Sequence, residues 1–138
     1  MTAKEYLKQY EYADRRAKRF KAEYEKEQLL IDAIRSASDN DGMPHGSGIN
    51  KPTEDKALRL ADRAMQWKMA ELDAIEKRQE VFKLVCNIDG VEGDVLYERY
   101  VNLRKWEEIC VQVNYSWYGV HSIHRRALMI VESTLKNT

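Results

Sequence analysis

Trp117, Tyr118, His121, Ser122 and Arg125 carry the most suggestive chemistry in this chain. The last four follow Trp117 by one, four, five and eight positions, a spacing that gathers all five on one face of a helix. The residues between them, Val120, Ile123, Ala127 and Ile130, keep a three-four-three spacing and form the stripe that such a helix would bury. Two aromatic rings on an exposed first turn are hard to explain as core. They suit apolar contact with thymine methyls or backbone sugar, while His121, Ser122 and Arg125 offer hydrogen bonds to base edges in double-stranded DNA. Arg126 is rotated to the edge of that face, within reach of a phosphate. Ser116 is placed to cap the helix, and that role argues against a nucleophile pair with His121.

Positioning this face requires a partner helix and a tight turn. Trp106, Ile109, Cys110 and Val113 share one side of a segment from Lys105 to Val113, and Cys110 is small enough for a close crossing. Asn114 follows, a residue that tolerates positive φ second only to glycine. Upstream, residues 94 to 101 place Val95, Leu96 and Tyr100 on one side, after Gly90 and Gly93 acting as breakers. Three short helices over 89–138, the last running from Ser116 to about Lys136, make a small helix-turn-helix domain.

Two longer patterns precede it. From Thr2 to about Ser36 there is no Pro or Gly, and Tyr6, Tyr10, Ala13, Ala17, Phe20, Tyr24, Ile31 and Ile34 fall at alternating spacings of four and three once Glu27 fills its gap. Thr2 and Glu5 form a capping box. From Thr53 to about Asn87, Leu58, Ala61, Met65, Leu72, Ile75, Phe82 and Cys86 repeat the pattern, with Lys68 and Gln79 at the polar gaps. Between them, residues 37–52 are rich in Gly, Pro and turn formers. The expected architecture is all-α: a long coiled-coil-like hairpin over 1–88, each helix burying the other's stripe, then the helix-turn-helix domain. Trp67, Met69, Val81, Leu84 and Val85 lie off the second seam, so a further surface awaits another chain or the C-terminal domain. A homo-oligomer through residues 1–88 is the corresponding expectation.

Composition excludes more than it assigns. The chain has 138 residues, and its 23 basic and 23 acidic residues cancel, so no global charge points to a polyanion. Two cysteines are too few for a disulfide framework or a zinc site, and they read as buried thiols in a reducing compartment. No apolar run reaches membrane length and the opening residues are charged throughout, so a cytoplasmic location without membrane partners is expected. Nothing resembles a catalytic constellation. The GMPHGSG loop lacks the Lys-Ser or Lys-Thr of a nucleotide loop, His45 is better read as solvated, and His121 with His124 lacks the carboxylate or thiol that would complete a metal set. No enzyme, cofactor or metal is expected.

Leu96, Arg99 and Tyr100, then Trp106-Glu107-Glu108-Ile109, then Tyr115-Ser116, together with the opening MTAKEYLKQY and the GMPHGSG loop, resemble the small phage regulators grouped with the ArpU and RinA activators, themselves similar to region 4 of sigma factors. The resemblance covers most of the chain. It implies a phage or prophage transcriptional regulator acting in a bacterial host with RNA polymerase, in the manner of a late-gene activator. It also places Lys105 where the family has a Ser or Thr cap, which substitutes a phosphate contact for a cap. The positions at which region 4 carries Arg, Glu and Gln here hold Trp117, Tyr118, His121 and Ser122, so its base preference does not transfer. The sigma region that melts promoters is missing, which implies an accessory factor. Residues 89–113 carry six acids (Asp89, Glu92, Asp94, Glu98, Glu107, Glu108) against three bases (Arg99, Arg104, Lys105), so binding by one copy should be modest and salt-sensitive. A phage DNA-packaging or assembly protein, with a helix-turn-helix and a helical oligomerisation arm, is the alternative.

Overall fold

The structure, a computed structural model, describes residues 1–39 and 51–137. All regular structure among them is helical: α1 (Ala3–Leu7), α2 (Gln9–Asp39), α3 (Lys51–Cys86), α4 (Gly90–Leu96), a π-helical turn (Tyr97–Val101), α5 (Trp106–Val113) and α6 (Trp117–Lys136). The expected all-α class holds. No helix is long and apolar enough to cross a membrane among the described residues.

The first helix begins as its sequence dictates. The Glu5 amide donates to Thr2 Oγ1 at 3.2 Å, and the Thr2 amide donates to Glu5 Oε2 at 3.1 Å, so two amides that a helix start leaves unpaired are satisfied. Helix α2 continues past Ser36 to Asp39, and α3 starts at Lys51 rather than at Thr53. Pro52 falls in the first turn of α3, where the missing N–H costs nothing because that amide has no helical acceptor. Residues 37–39 and 51–52 of the expected loop are therefore helical. Residues 40–50, with the GMPHGSG segment and His45, lie outside the described residues.

Chain contacts divide the protein into two compact units, one of residues 1–13 with 73–138 and one of residues 14–72. The boundary expected at residue 88 is thus not where the units part. The reason is visible in the larger unit's core, where Ala3 and Leu7 of α1 and Val81 and Val85 of α3 are buried together with Leu96, Tyr100, Val101, Ala127 and Val131. Four apolar side chains from the two long segments complete a core that three short helices cannot fill alone. A second cluster, Val95, Ile109, Val120 and Ile123, lies under α4, α5 and α6. In the smaller unit Ala17, Ile31 and Ala70 are buried, and the Tyr24 and Trp67 rings meet at 5.3 Å.

The long helices behave differently from one another. On the first, every seam position expected to be covered is covered, from Tyr6 through Ala13, Ala17 and Ile31 to Ile34. On α3 the expected seam is the wrong one. Positions 58, 61, 65, 68, 72, 75, 79, 82 and 86 are all exposed. Most covered positions follow a parallel seven-residue repeat, Leu60, Arg63, Trp67, Ala70, Ala74, Lys77, Val81 and Leu84, continued by Ile88 just past the helix, with Ala64, Asp73 and Val85 covered beside it. This helix carries two apolar stripes of similar strength, and periodicity alone does not rank them. In the middle of the helix the covered stripe carries the small Ala70 and Ala74, where the exposed one carries Leu72 and Ile75.

Between the long helices and the C-terminal ones, Gly90 acts as the expected breaker with φ +79°, but Gly93 lies inside α4. A Cβ at Gly93 would come within 2.0 Å of the Ile88 carbonyl oxygen, so the glycine is required by a close backbone approach. Gly93→Ala should destabilise the protein by about 2 kcal/mol, read as a lower urea midpoint with an unchanged slope. A neutral result would mean that α4 is not held against Ile88. After α4 the chain widens for one turn: the Asn102 amide bonds to the Tyr97 carbonyl at 3.0 Å, five residues back, and this lets Tyr100 and Val101 both face the core. Leu103 then takes φ +55°, an unfavourable conformation for its type, as the chain turns into α5.

Candidate nucleic-acid interface

Helices α5 and α6 are joined by Asn114, Tyr115 and Ser116. Asn114 adopts the left-handed conformation expected of it, φ 61° and ψ 47°, and ends α5. The Tyr115 amide bonds back to the Cys110 carbonyl at 3.2 Å. Ser116 is extended, and its hydroxyl accepts the Gly119 amide at 3.1 Å, which fixes the start of α6 as a cap. Gly119 has little space above it, since a Cβ there would lie 3.2 Å from Ser116 Oγ and 3.4 Å from the Tyr115 ring.

The buried stripe of α6 departs from expectation at its far end. Val120, Ile123 and Ala127 are buried as expected, but Ile130 is 40% exposed and Val131 fully buried in its place. His124 joins the stripe, four residues after Val120 and three before Ala127. That spacing was the sequence signal for it, and its polar ring was the reason to overlook it. Its Nε2 lies 2.7 Å from the Tyr100 hydroxyl, and the two rings stack at 5.8 Å. Burial, reinforced by Lys4, His121, Arg99 and Arg125, pushes the His124 pKa down to about 4. Burial raises that of Tyr100 to about 12, with Arg99 opposing and Glu11 adding to the rise. Both groups are therefore neutral at pH 7. The hydroxyl then donates to the unprotonated nitrogen in the tautomer that holds its proton on Nδ1.

The structure brings most of the expected face together and removes one member. Tyr118 is 87% exposed, and Ser122 and Arg125 extend the same exposed line at four and seven positions further. Trp117 is about half exposed beside them. His121 is a correction. Its ring lies between Trp106 and Trp117, with centroids 4.7 and 4.5 Å away, and its Nε2 is enclosed without a hydrogen-bond partner. A spacing of four from Trp117 turned it toward α5, where the indole of Trp106 covers it. Its Nε2 is therefore covered rather than offered to the surface, and the ring packs against Trp117. Arg99, unremarked as a site residue, has its guanidinium 4.9 Å from the Trp106 ring and donates to the Arg104 carbonyl at 3.0 Å. Arg99, Trp106, His121 and Trp117 thus form a continuous row of ring contacts, tilted or edge-on, beside the exposed face.

The charges around this face are mixed. Arg126, exposed as expected, pairs with Glu92 of α4 at 3.6 Å, which holds part of its charge for an intramolecular partner. Arg104 pairs with Glu98 and approaches Glu108 at 4.0 Å. Lys105 is exposed at the N-cap position of α5 and makes no capping bond with its side chain. The first turn of α6 carries no acid. Cys86 and Cys110 are free thiols, Cys86 exposed and not buried as expected. No group of three or more His, Cys, Asp or Glu side chains among the described residues is placed to hold a metal. No family model, curated protein or solved structure matches this chain.

Proposed function

We propose that this chain is a phage- or prophage-encoded transcriptional regulator whose α5–turn–α6 segment is a helix-turn-helix that reads double-stranded DNA. It resembles region 4 of sigma factors and the ArpU and RinA activators in Leu96-x-x-Arg99-Tyr100, Trp106-Glu107-Glu108-Ile109 and Tyr115-Ser116. The reading rests above all on the first turns of α6, where Tyr118 stands 87% exposed in line with Ser122 and Arg125 while Val120 and Ile123 are buried behind them. A side chain as large as Tyr118 on a rigid, capped helix start has no role in the core. In the major groove it meets thymine methyls, and Arg125 two turns on reaches a guanine edge. Lys105 at the start of α5 lies where a flanking phosphate passes, and Arg126 adds a second backbone contact when it leaves Glu92. His121 acts through Trp117.

In this reading α2 and α3 form a hairpin arm, the protein works in the bacterial cytoplasm, and host RNA polymerase supplies the second anchor that a nearly neutral DNA-binding domain needs. The exposed stripe of α3 also favours a second reading, a packaging or assembly subunit that uses the same two parts. Selection from a pool of random duplexes separates DNA reading from both a bland bundle and sequence-blind binding. Enrichment of a defined motif supports the regulator. Failure to enrich any sequence, with retention lost uniformly as salt rises, would leave only non-specific binding and sink it.

A further inference from the structure

We propose that the outer stripe of α3 is the interface with a second copy of this chain, packed antiparallel, with Leu72 of each copy against the partner's Ile75. The observation is the uninterrupted exposure of one heptad seam. Leu58, Met65, Leu72, Ile75 and Phe82 are each between 40% and 65% exposed, and every other seam position is exposed too. Phe82 meets the Tyr97 ring edge-on at 6.2 Å, and the rest of the stripe is a coiled-coil seam without its partner. Over residues 61–86 it extends for roughly 38 Å, more than three heptads.

Charge and layer matching choose the orientation. In a parallel, in-register pair, Lys68 would face its own copy in the core. Glu71 would meet the partner's Glu76, and Arg78 the partner's Lys83, all of like charge. In the antiparallel register that joins Leu72 to Ile75, Met65 meets the partner's Phe82, Lys68 meets Gln79 and Ala61 meets Cys86. Large, polar and small residues each find their own kind. The flanking positions also agree: Glu71 faces the partner's Arg78, and Asp62 faces the partner's Lys83, each pair occurring twice by symmetry. Glu71 already has its carboxylate held by the Trp67 indole N–H at 2.8 Å. Sliding one heptad either way destroys the match. One shift sets Lys68 against Leu72 and Glu71 against Glu71, and the other sets Arg78 against Arg78. The antiparallel pair is thus self-complementary in a single register.

Light scattering and sedimentation on the full chain test this, with circular dichroism as the control for folding. Wild type should be a dimer at tens of micromolar. Leu72→Lys with Ile75→Lys should be a monomer of unchanged helicity and melting, because both side chains are exposed within one copy. Glu71→Arg should weaken the dimer about tenfold by setting two like-charged pairs against each other, and Glu71→Arg with Arg78→Glu should restore it. Tighter association of Glu71→Arg alone is the signature of a parallel pair and would overturn the proposal. So would a wild-type monomer at ~100 μM, which would leave the stripe to a different protein, or a dimer indifferent to Leu72→Lys with Ile75→Lys.

Discussion

Acidification from pH 7 to pH 5 should lower the stability of this protein by about 2 kcal/mol, before most carboxylates begin to titrate. The cause is His124. Its folded pKa of about 4 lies below its ordinary value of 6.5, so below pH 6.5 the unfolded chain binds a proton that the folded one refuses. Stability is fully present above pH 6.5 and is lost as pH falls toward 4, where the total reaches about 3 kcal/mol. Burial between α6 and the π-helical turn is the chief cause, and Lys4, His121, Arg99 and Arg125 repel the same proton. Tyr100 closes the opposite end of the range: its hydroxyl ionises near 12 in the fold against 10 when unfolded, so stability declines again above pH 10. Urea titrations at pH 7 and 5 measure the acid limb. Replacing both partners, Tyr100→Phe with His124→Phe, should flatten it, while His124→Phe alone also strands the hydroxyl and lowers stability at pH 7. Equal wild-type midpoints at the two pH values would show that His124 is protonated, or solvated, in the native protein.

Arg125→Ala should weaken binding to a selected duplex by about 10- to 100-fold and relax the preference at one base pair, the loss expected of a bidentate contact to guanine. Arg126→Ala should do much less, since Glu92 already holds that guanidinium at 3.6 Å. Its loss should act alike on all sequences and lower the salt slope by about one unit. Glu92→Gln provides the complementary sign. It releases Arg126 and removes a carboxylate from near the phosphates, so affinity should rise for every sequence. Fluorescence anisotropy across a salt series measures all three. If Arg126→Ala were the more damaging and base-selective of the two substitutions, the face assignment would be reversed.

How far the sequence anticipated this arrangement depended on whether one stripe dominated each helix. On α2 a single apolar seam existed, and the structure covers it. On α3 two seams competed, Leu58 to Cys86 and Leu60 to Ile88, and the larger side chains of the first drew the assignment to what is the outer face. Local chemistry was the most legible layer: Thr2, Asn114 and Ser116 each act through backbone geometry that their own side chains determine, and all three took the expected roles. Long-range pairing was not legible. No spacing announces that Leu7 and Val81 belong to one core with Val131, or that Gly93 is needed by Ile88. His121 was expected on the exposed face and His124 was overlooked, and both are more covered than the sequence reading allowed, for one reason. A helical spacing places a residue on a face but does not say how far Trp106 of the neighbouring helix reaches over it.

The claim that α6 reads DNA through its exposed first turns is tested most directly by Tyr118→Ala, measured once for thermal melting and once for binding to a selected duplex. Tyr118 is 87% exposed, so its truncation should leave the melting temperature within a degree or two of wild type. Binding to the selected duplex should fall about tenfold, with the loss concentrated at one thymine-bearing position. Unchanged binding by a fully folded Tyr118→Ala protein would contradict the account, and the likeness to sigma region 4 would then describe shape without function.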